Sequence, residues 1–201
     1  MDYLERSFER GNVAIAYIYC SYKEQGGQTA ANLIASLLQQ LVQRNVVISE
    51  KVVSLYHSHI RKRTRPMLEE CSNLLQSEVL RFPKVFMVID AMDECSESNG
   101  TRTSFLTEIR KLQSSVHLLV TSRHISTIEY EFRKASRLEI HASDGDVRRY
   151  LESRITREPQ LAGHVEADPA LRDTIIDTLV ENAKGMCVSI TRPRAEVLDL
   201  A

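Results

Sequence analysis

Residues 85–90 read VFMVID: an unbroken apolar run that ends in an aspartate. A strand with no polar alternation has no face to offer to water, so a run like this belongs inside a sheet buried on both sides. Two other segments share the character. VAIAYIYCSY (13–22) is rich in β-branched and aromatic residues, and HLLVTSR (117–123) is apolar until its polar end. SRLEIHA (136–142) is a weaker strand of the same kind.

Helical patterns separate them. TAANLIASLLQQLVQR (29–44) places Leu33, Ile34, Leu37, Leu38, Leu41 and Val42 on one face, with Thr29 as its N-cap. SEKVVSLYHSHIRKR (49–63) and PMLEECSNLLQSEVLRF (66–82) follow as helices, with Pro66 in the first turn of the second. Another spans TSFLTEIRKLQ (103–113), and a short one lies near Ile125 to Lys134. Strand–helix alternation of this sort predicts an α/β fold with a parallel sheet covered on both faces. After Ala142 the pattern is helical only, in DGDVRRYLESRIT (144–156) and PALRDTIIDTLVENAKG (169–185), where Gly185 is the expected C-cap. The expected organisation is an α/β core over 1–142 and a helical extension over 143–201.

Bulk composition narrows the function classes. With 201 residues, 43% hydrophobic and 26% charged, the chain can bury a core of ordinary size. A formal net charge of −1 provides no field to gather nucleic acid or an anionic membrane. Cys20, Cys71, Cys95 and Cys187 are scattered with no C-x-x-C pair, which reads as reduced thiols and not as a disulfide framework or zinc site. The start, MDYLERSFER, has no apolar signal core, and no apolar run approaches the ~18 residues of a membrane span. A cytoplasmic protein without membrane or nucleic-acid partners is expected.

The chemistry concentrates where the apolar strands end. An hhhhD strand followed by acids three and four positions later resembles an extended Walker B motif. Asp90 is then the carboxylate that holds the water shell of Mg2+, and Glu94, with Asp93 beside it, lies near an attacking water. The plainer alternative is a strand followed by an acidic turn. One helix later, HLLVTSR ends in Thr121, Ser122 and Arg123. A polar or cationic residue at that strand end suits a γ-phosphate, through the charge and fixed donor fork of a guanidinium. The plainer alternative there is a solvated loop.

VFMVIDAMDECSE, LLVTSR and the upstream IAYIYCSYKEQGGQTAANLIASLLQQL together resemble the NACHT class of signal-transducing P-loop NTPases. The nearest flavour is the nephrocystin 3-like N-terminal domain of large fungal repeat proteins. DVRRYLESRI and IIDTLVENAKGM resemble the helical region that follows the NTPase core, so the likeness runs from about Val13 to Met186. It implies Mg2+ with ATP or GTP, Asp90 on the metal, Glu94 and Asp93 in catalysis, and Thr121 and Arg123 toward the nucleotide. It also implies an oligomerising scaffold that the nucleotide switches.

One departure matters. A Walker A loop needs G-x-x-x-x-G-K-[ST], and no glycine in this sequence is followed by lysine. On this resemblance the chain opens in the helix after the P-loop. After Gly185–Met186, CVSITRPRAEVLDLA stands in place of a bulky apolar helix. The expectation is a chain cut at both ends, as a fragmentary or mis-spliced product or a degenerate paralogue. Nucleotide hydrolysis on its own is then negligible, and the strand that leads into the P-loop is missing between the T-S-R strand and the last strand. The open edge is expected to lower stability and to promote self-association. A non-catalytic protein-interaction or scaffold module is the alternative function.

Other candidates are weaker. His57 and His59 lie two apart on a helix, on different faces, which disfavours shared metal ligation. RKRTR (61–65) reads as a solvated helix end, Cys95 as a packing residue, and Lys184 and Arg133 have no motif around them.

Overall fold

The structure is a computed structural model, and it describes residues 13–112, 115–140 and 142–183. The chain divides into two compact units, Met1–Lys134 and Ala135–Ala201. The segments MDYLERSFER and CVSITRPRAEVLDLA, Lys184 and the expected cap Gly185 lie outside the described residues.

In the first unit, β1 (Val13–Tyr19), β2 (Lys84–Asp90) and β3 (His117–Val120) form a parallel sheet in that order. Tyr19 stands beside Asp90 and Ile89 beside Val120, so the carboxyl ends of the three strands finish level. The helices are α1 (Ala30–Arg44), α2 (Glu50–Lys62), α3 (Leu68–Val79), α4 (Thr101–Lys111) and α5 (Ser126–Glu131). Thr29 caps α1 as expected, its Oγ1 accepting the Asn32 N–H at 3.2 Å, and Ser49 caps α2 in the same way. Such caps contribute about 1 kcal/mol each. Pro66 falls outside α3, because the extended Met67 is the N-cap and its N–H is taken by Glu70 Oε2 at 2.7 Å.

The core lies on one face of the sheet. Ala14, Ala16 and Ile18 of β1 and Val85, Met87 and Ile89 of β2 form one cluster with Leu33, Ile34, Leu37 and Leu41 of α1, with α3 through Leu75 and Val79, and with α4 through Phe105 and Ile109. The alternate face differs from the expectation of a sheet closed on both sides. Ile15 is buried there, but Tyr17, Phe86 and Val88 are half-buried, and Tyr19 and Leu119 are exposed. The expected strand over 136–142 is also corrected. Residues 136–140 and 142 have no regular structure, and Leu138 and Ile140 are exposed. A strand is stable only beside a partner, and the described sheet has three strands.

The two edges of this sheet are finished differently. Cys20 N–H reaches Asp90 O at 3.0 Å, so even-numbered residues of β1 face β2 and odd-numbered ones face outward. That outward edge is covered by side chains. Gln40 Nε2 donates to Tyr17 O at 2.8 Å, and Gln40 Oε1 accepts the Tyr17 N–H at 2.9 Å. Arg44 Nε donates to Ile15 O at 3.0 Å. Gln28 repeats the amide pairing one step further on, with Tyr19 O and Ser21 N–H, both at 3.1 Å. A primary amide presents the donor and acceptor of a peptide group, so Gln28 and Gln40 stand in for a neighbouring strand. At the other edge, Leu118 and Val120 turn their backbone groups away from β2, and no strand lies beside them among the described residues.

Two buried carboxylates tie the helices together. Glu78, fully buried, accepts from the Ser49 hydroxyl at 2.5 Å and from Arg81 at 2.7 Å, which locks the start of α2 to the end of α3. Glu108 on α4 accepts from the Ser72 hydroxyl of α3 and from Lys111 at 2.7 Å. Burial pushes the Glu108 carboxyl up, but the hydrogen bonds from Lys111 and Ser72 and the lysine's charge outweigh it and hold it below its usual range.

In the second unit, α6 (Asp144–Arg157), α7 (Pro159–Ala167) and α8 (Pro169–Ala183) pack on one another. They bury Val147, Ile155, Ile176 and Ala183, and Arg148 of α6 meets Asp177 of α8 at 2.6 Å. The sequence reading missed α7. Its Pro159 sits at the first helical position, where a missing N–H costs nothing. No helix among the described residues is long and apolar enough to cross a membrane.

Two outcomes follow from the edge and from Glu108. Gln40→Ala should cost about 1–2 kcal/mol in urea denaturation and raise light scattering on storage, because it bares a backbone donor and acceptor on β1. Unchanged stability and scattering would show that the amide is dispensable. A carboxyl held low when folded contributes stability above the unfolded pKa of ~4.3 and loses it as pH falls through the folded value. The melting-temperature gap between wild type and Glu108→Gln should therefore be full at pH 6 to 7 and shrink below about pH 4. A gap that grows on acidification would contradict this.

Candidate functional site

The site is built at the point where β2 runs out. Ala91, directly after Asp90, adopts the left-handed conformation at φ 53° and ψ 48°. Alanine is strained there by roughly 1 kcal/mol. The reversal folds the 3-10 turn Met92–Glu94 back over the strand ends, with Met92 buried as its plug.

Thr121, the residue after β3, pins that turn. Its N–H donates to Ile89 O at 2.9 Å and its carbonyl accepts the Met92 N–H at 2.9 Å. Its hydroxyl accepts the Ala91 N–H at 2.9 Å and donates to Asp90 Oδ1 at 2.5 Å. Asp90 is thus oriented through one carboxylate oxygen.

Asp93 and Glu94 take different partners. Asp93 Oδ1 accepts the Arg123 N–H at 3.1 Å, and its Oδ2 accepts from Arg123 Nε at 2.5 Å. The Asp93 side chain is only 5% exposed while that of Arg123 is 70% exposed, so the aspartate anchors an arginine that lies on the surface. The hydrogen bond from Arg123 to Asp93, then the charge of Asp93, push the guanidinium pKa upward, with a smaller contribution from Glu94. Glu94 turns toward β1, where its Oε2 accepts the Tyr22 N–H at 3.1 Å and its carbonyl accepts from Gln25 Nε2 at 3.1 Å.

All five residues singled out from the sequence, Asp90, Asp93, Glu94, Thr121 and Arg123, therefore meet at the carboxyl edge of the sheet. Their pairings were not foreseen. Nor were the Tyr22 N–H and Gln25, since a backbone donor and an amide in a polar loop leave no mark in the sequence. His57 and His59 do not converge: His59 Nδ1 lies 2.7 Å from Thr64 Oγ1 and its Nε2 3.1 Å from Glu70, while His57 is exposed. RKRTR (61–65) is exposed at the end of α2.

Mg2+ is a hard cation that keeps several waters and takes one or two carboxylates together with nucleotide phosphates. No group of three or more His, Cys, Asp or Glu among the described residues forms an all-protein metal cage. The donor set at the strand end, an aspartate steadied by a threonine hydroxyl, fits the smaller demand.

The fold and the site define an α/β protein whose parallel sheet ends in a turn of carboxylates. A family model described as nephrocystin 3, N-terminal, matches residues 1–123. That span contains the whole described sheet and ends on Arg123, and the chain belongs to the nephrocystin 3 N-terminal family. Comparison with curated proteins returned no match.

Thr121→Val should cost about 0.5–1.5 kcal/mol in urea denaturation, since it removes the hydroxyl that joins the Ala91 N–H to Asp90 at an exposed position. Thr121→Ser keeps the hydroxyl and, because the residue is exposed, should lose under about 0.5 kcal/mol. Equal losses in the two variants would show that the methyl group matters and the hydroxyl does not.

Proposed function

We propose that the first unit is the magnesium and sensor side of a NACHT-type, signal-transducing P-loop NTPase module. The observation that carries this reading is the meeting of Asp90, Glu94, Thr121 and Arg123 at the carboxyl edge of a parallel sheet, where ligands of such sheets bind. Asp90, with Thr121 beside it, would hold Mg2+, which supplies charge neutralisation for the phosphates of ATP or GTP. Glu94 is the group suited to orient an attacking water. Asp93 is committed to Arg123, and its part is to hold that guanidinium at the rim, facing the nucleotide.

The sequence has no glycine followed by lysine, and so no G-x-x-x-x-G-K-[ST] cradle for the phosphates. Phosphoryl transfer depends mainly on positioning and charge stabilisation, much of it from that loop. The chain on its own is thus read as a weak nucleotide binder with negligible hydrolysis. Among the described residues no strand pairs with the outer edge of β3, which supports a sheet that lacks its P-loop strand and self-associates there. In the same reading the α/β core spans 1–142, residues 143–201 form a helical extension, and the protein is cytoplasmic and fungal in type.

A second reading has its own observation. Val53, Tyr56 and Ile60 are exposed along one side of α2, and Val46, Val47 and Ile48 are exposed just before it. Apolar surface of this kind favours a non-catalytic interaction or scaffold module.

Titration of ATP and GTP into the purified chain, with Mg2+ and with chelator, separates the two. Binding is expected to be weak, with Kd on the order of millimolar (about −4 kcal/mol). It should depend on Mg2+ and weaken about tenfold in Asp90→Asn, with no turnover above background. Binding indifferent to both Mg2+ and Asp90→Asn would leave the scaffold reading standing. Turnover that Glu94→Gln abolishes would refute the proposed inactivity.

A further inference from the structure

Three hydroxyls in this chain stand three residues after an arginine: Thr64 after Arg61, Ser126 after Arg123 and Ser136 after Arg133. Thr64 and Ser136 also have a lysine two residues before them, Lys62 and Lys134. An arginine-directed protein kinase reads basic side chains at these spacings, because acids in its substrate cleft pair with them and bring the hydroxyl to the phosphoryl donor. Arg133, which the sequence reading left without a motif, belongs to one of this kind. Such a cleft takes its substrate as an open stretch of chain, so the fold decides which hydroxyl can be used.

Two of the three are engaged. Arg61 and Lys62 lie in the last turn of α2, the Thr64 N–H closes that helix on His59 O at 3.0 Å, and Thr64 Oγ1 lies 2.7 Å from His59 Nδ1. Ser126 is the first residue of α5, and its arginine is committed to Asp93. Ser136 is different. Residues 136–140 have no regular structure and are all exposed, and the Ser136 hydroxyl has no hydrogen-bond partner among the described residues. Arg133 is exposed; its guanidinium donates to Tyr130 O at 2.8 Å and lies 4.2 Å from the centre of the Tyr130 ring. No carboxylate pairs with Arg133 or Lys134 among the described residues. The turn that carries Arg133 is held by a long bond, from its N–H to Tyr130 O at 3.4 Å, and opens at little cost.

We propose that Ser136 is a phosphorylation site for an arginine-directed serine kinase. The Ser136 Oγ attacks the γ-phosphorus of an ATP that the kinase holds. The new O–P bond forms as the bond from that phosphorus to the β–γ bridging oxygen breaks, ADP leaves, and the hydroxyl proton passes to the kinase's catalytic aspartate. The product adds a charge of about −1.5 to −2 next to Arg137. Arg137 meets Glu139 at 3.3 Å with both side chains about half exposed, so the phosphate can compete for that guanidinium. The site stands whether or not the sheet edge binds a nucleotide.

The test incubates the full folded chain with Mg2+ and ATP and the catalytic subunit of cAMP-dependent protein kinase, and locates the phosphate by peptide mass mapping. The expected result is a single phosphate on Ser136, with Thr64 and Ser126 unmodified over the same time. Arg133→Ala should lower kcat/KM at Ser136 at least about tenfold, through loss of one charged pair with the kinase. Ser136→Ala should remove the incorporation and leave circular dichroism and melting temperature unchanged, because the side chain is exposed in irregular chain. Phosphate that appears first on another residue, incorporation at Ser136 only after unfolding, no incorporation, or an Arg133→Ala variant modified as fast as wild type would each overturn the proposal.

Discussion

Thr121 closes four hydrogen bonds across the end of the sheet, to Ile89, Met92, Ala91 and Asp90. The acidic turn takes its position from that knot. The left-handed Ala91 persists because its N–H is held by the Thr121 hydroxyl and because Met92 is buried beneath the turn. Strain of this kind survives only where the surroundings over-determine it. Once the turn is fixed, its two acids part: Asp93 toward β3 and Arg123, Glu94 toward β1 and the Tyr22 amide. One residue at the end of one strand thereby arranges side chains over all three.

The two edges of the described sheet are finished differently. At β1 the outward backbone groups are met by Gln28, Gln40 and Arg44, so a further strand would have to displace three side chains. At β3 nothing comparable stands in the way among the described residues. An unpaired strand edge is a template for pairing, and among the described residues the two edges differ in that respect. Two buried carboxylates tie the helices to one another. Glu78 and Glu108 each bridge two helices through a serine hydroxyl and a nearby cation, which offsets part of the cost of burying them.

Much of this was legible beforehand. The apolar runs around Ala16, Met87 and Leu118 identified the strands, because short runs rich in β-branched and aromatic residues favour a pleated sheet. Thr29 marked the start of α1 through a capping chemistry that is local. The segment around Leu138 misled, since β-favouring residues specify a strand only when a partner edge is available. The helix from Pro159 to Ala167 was not foreseen, although a proline at the first helical position is a local start signal. The five site residues could be named from the ends of their strands, whereas their hydrogen-bond partners could not.

The sequence by itself determined the α/β class, the parallel strands and the clustering of acids with Thr121 and Arg123, because periodicity and strand ends are properties of adjacent residues. Only the tertiary structure decided that Asp93 is spent on Arg123, that Gln40 caps the edge of β1, and that Glu94 takes the Tyr22 amide. Those contacts join residues far apart in the chain, and their geometry depends on how strands and helices are registered against one another.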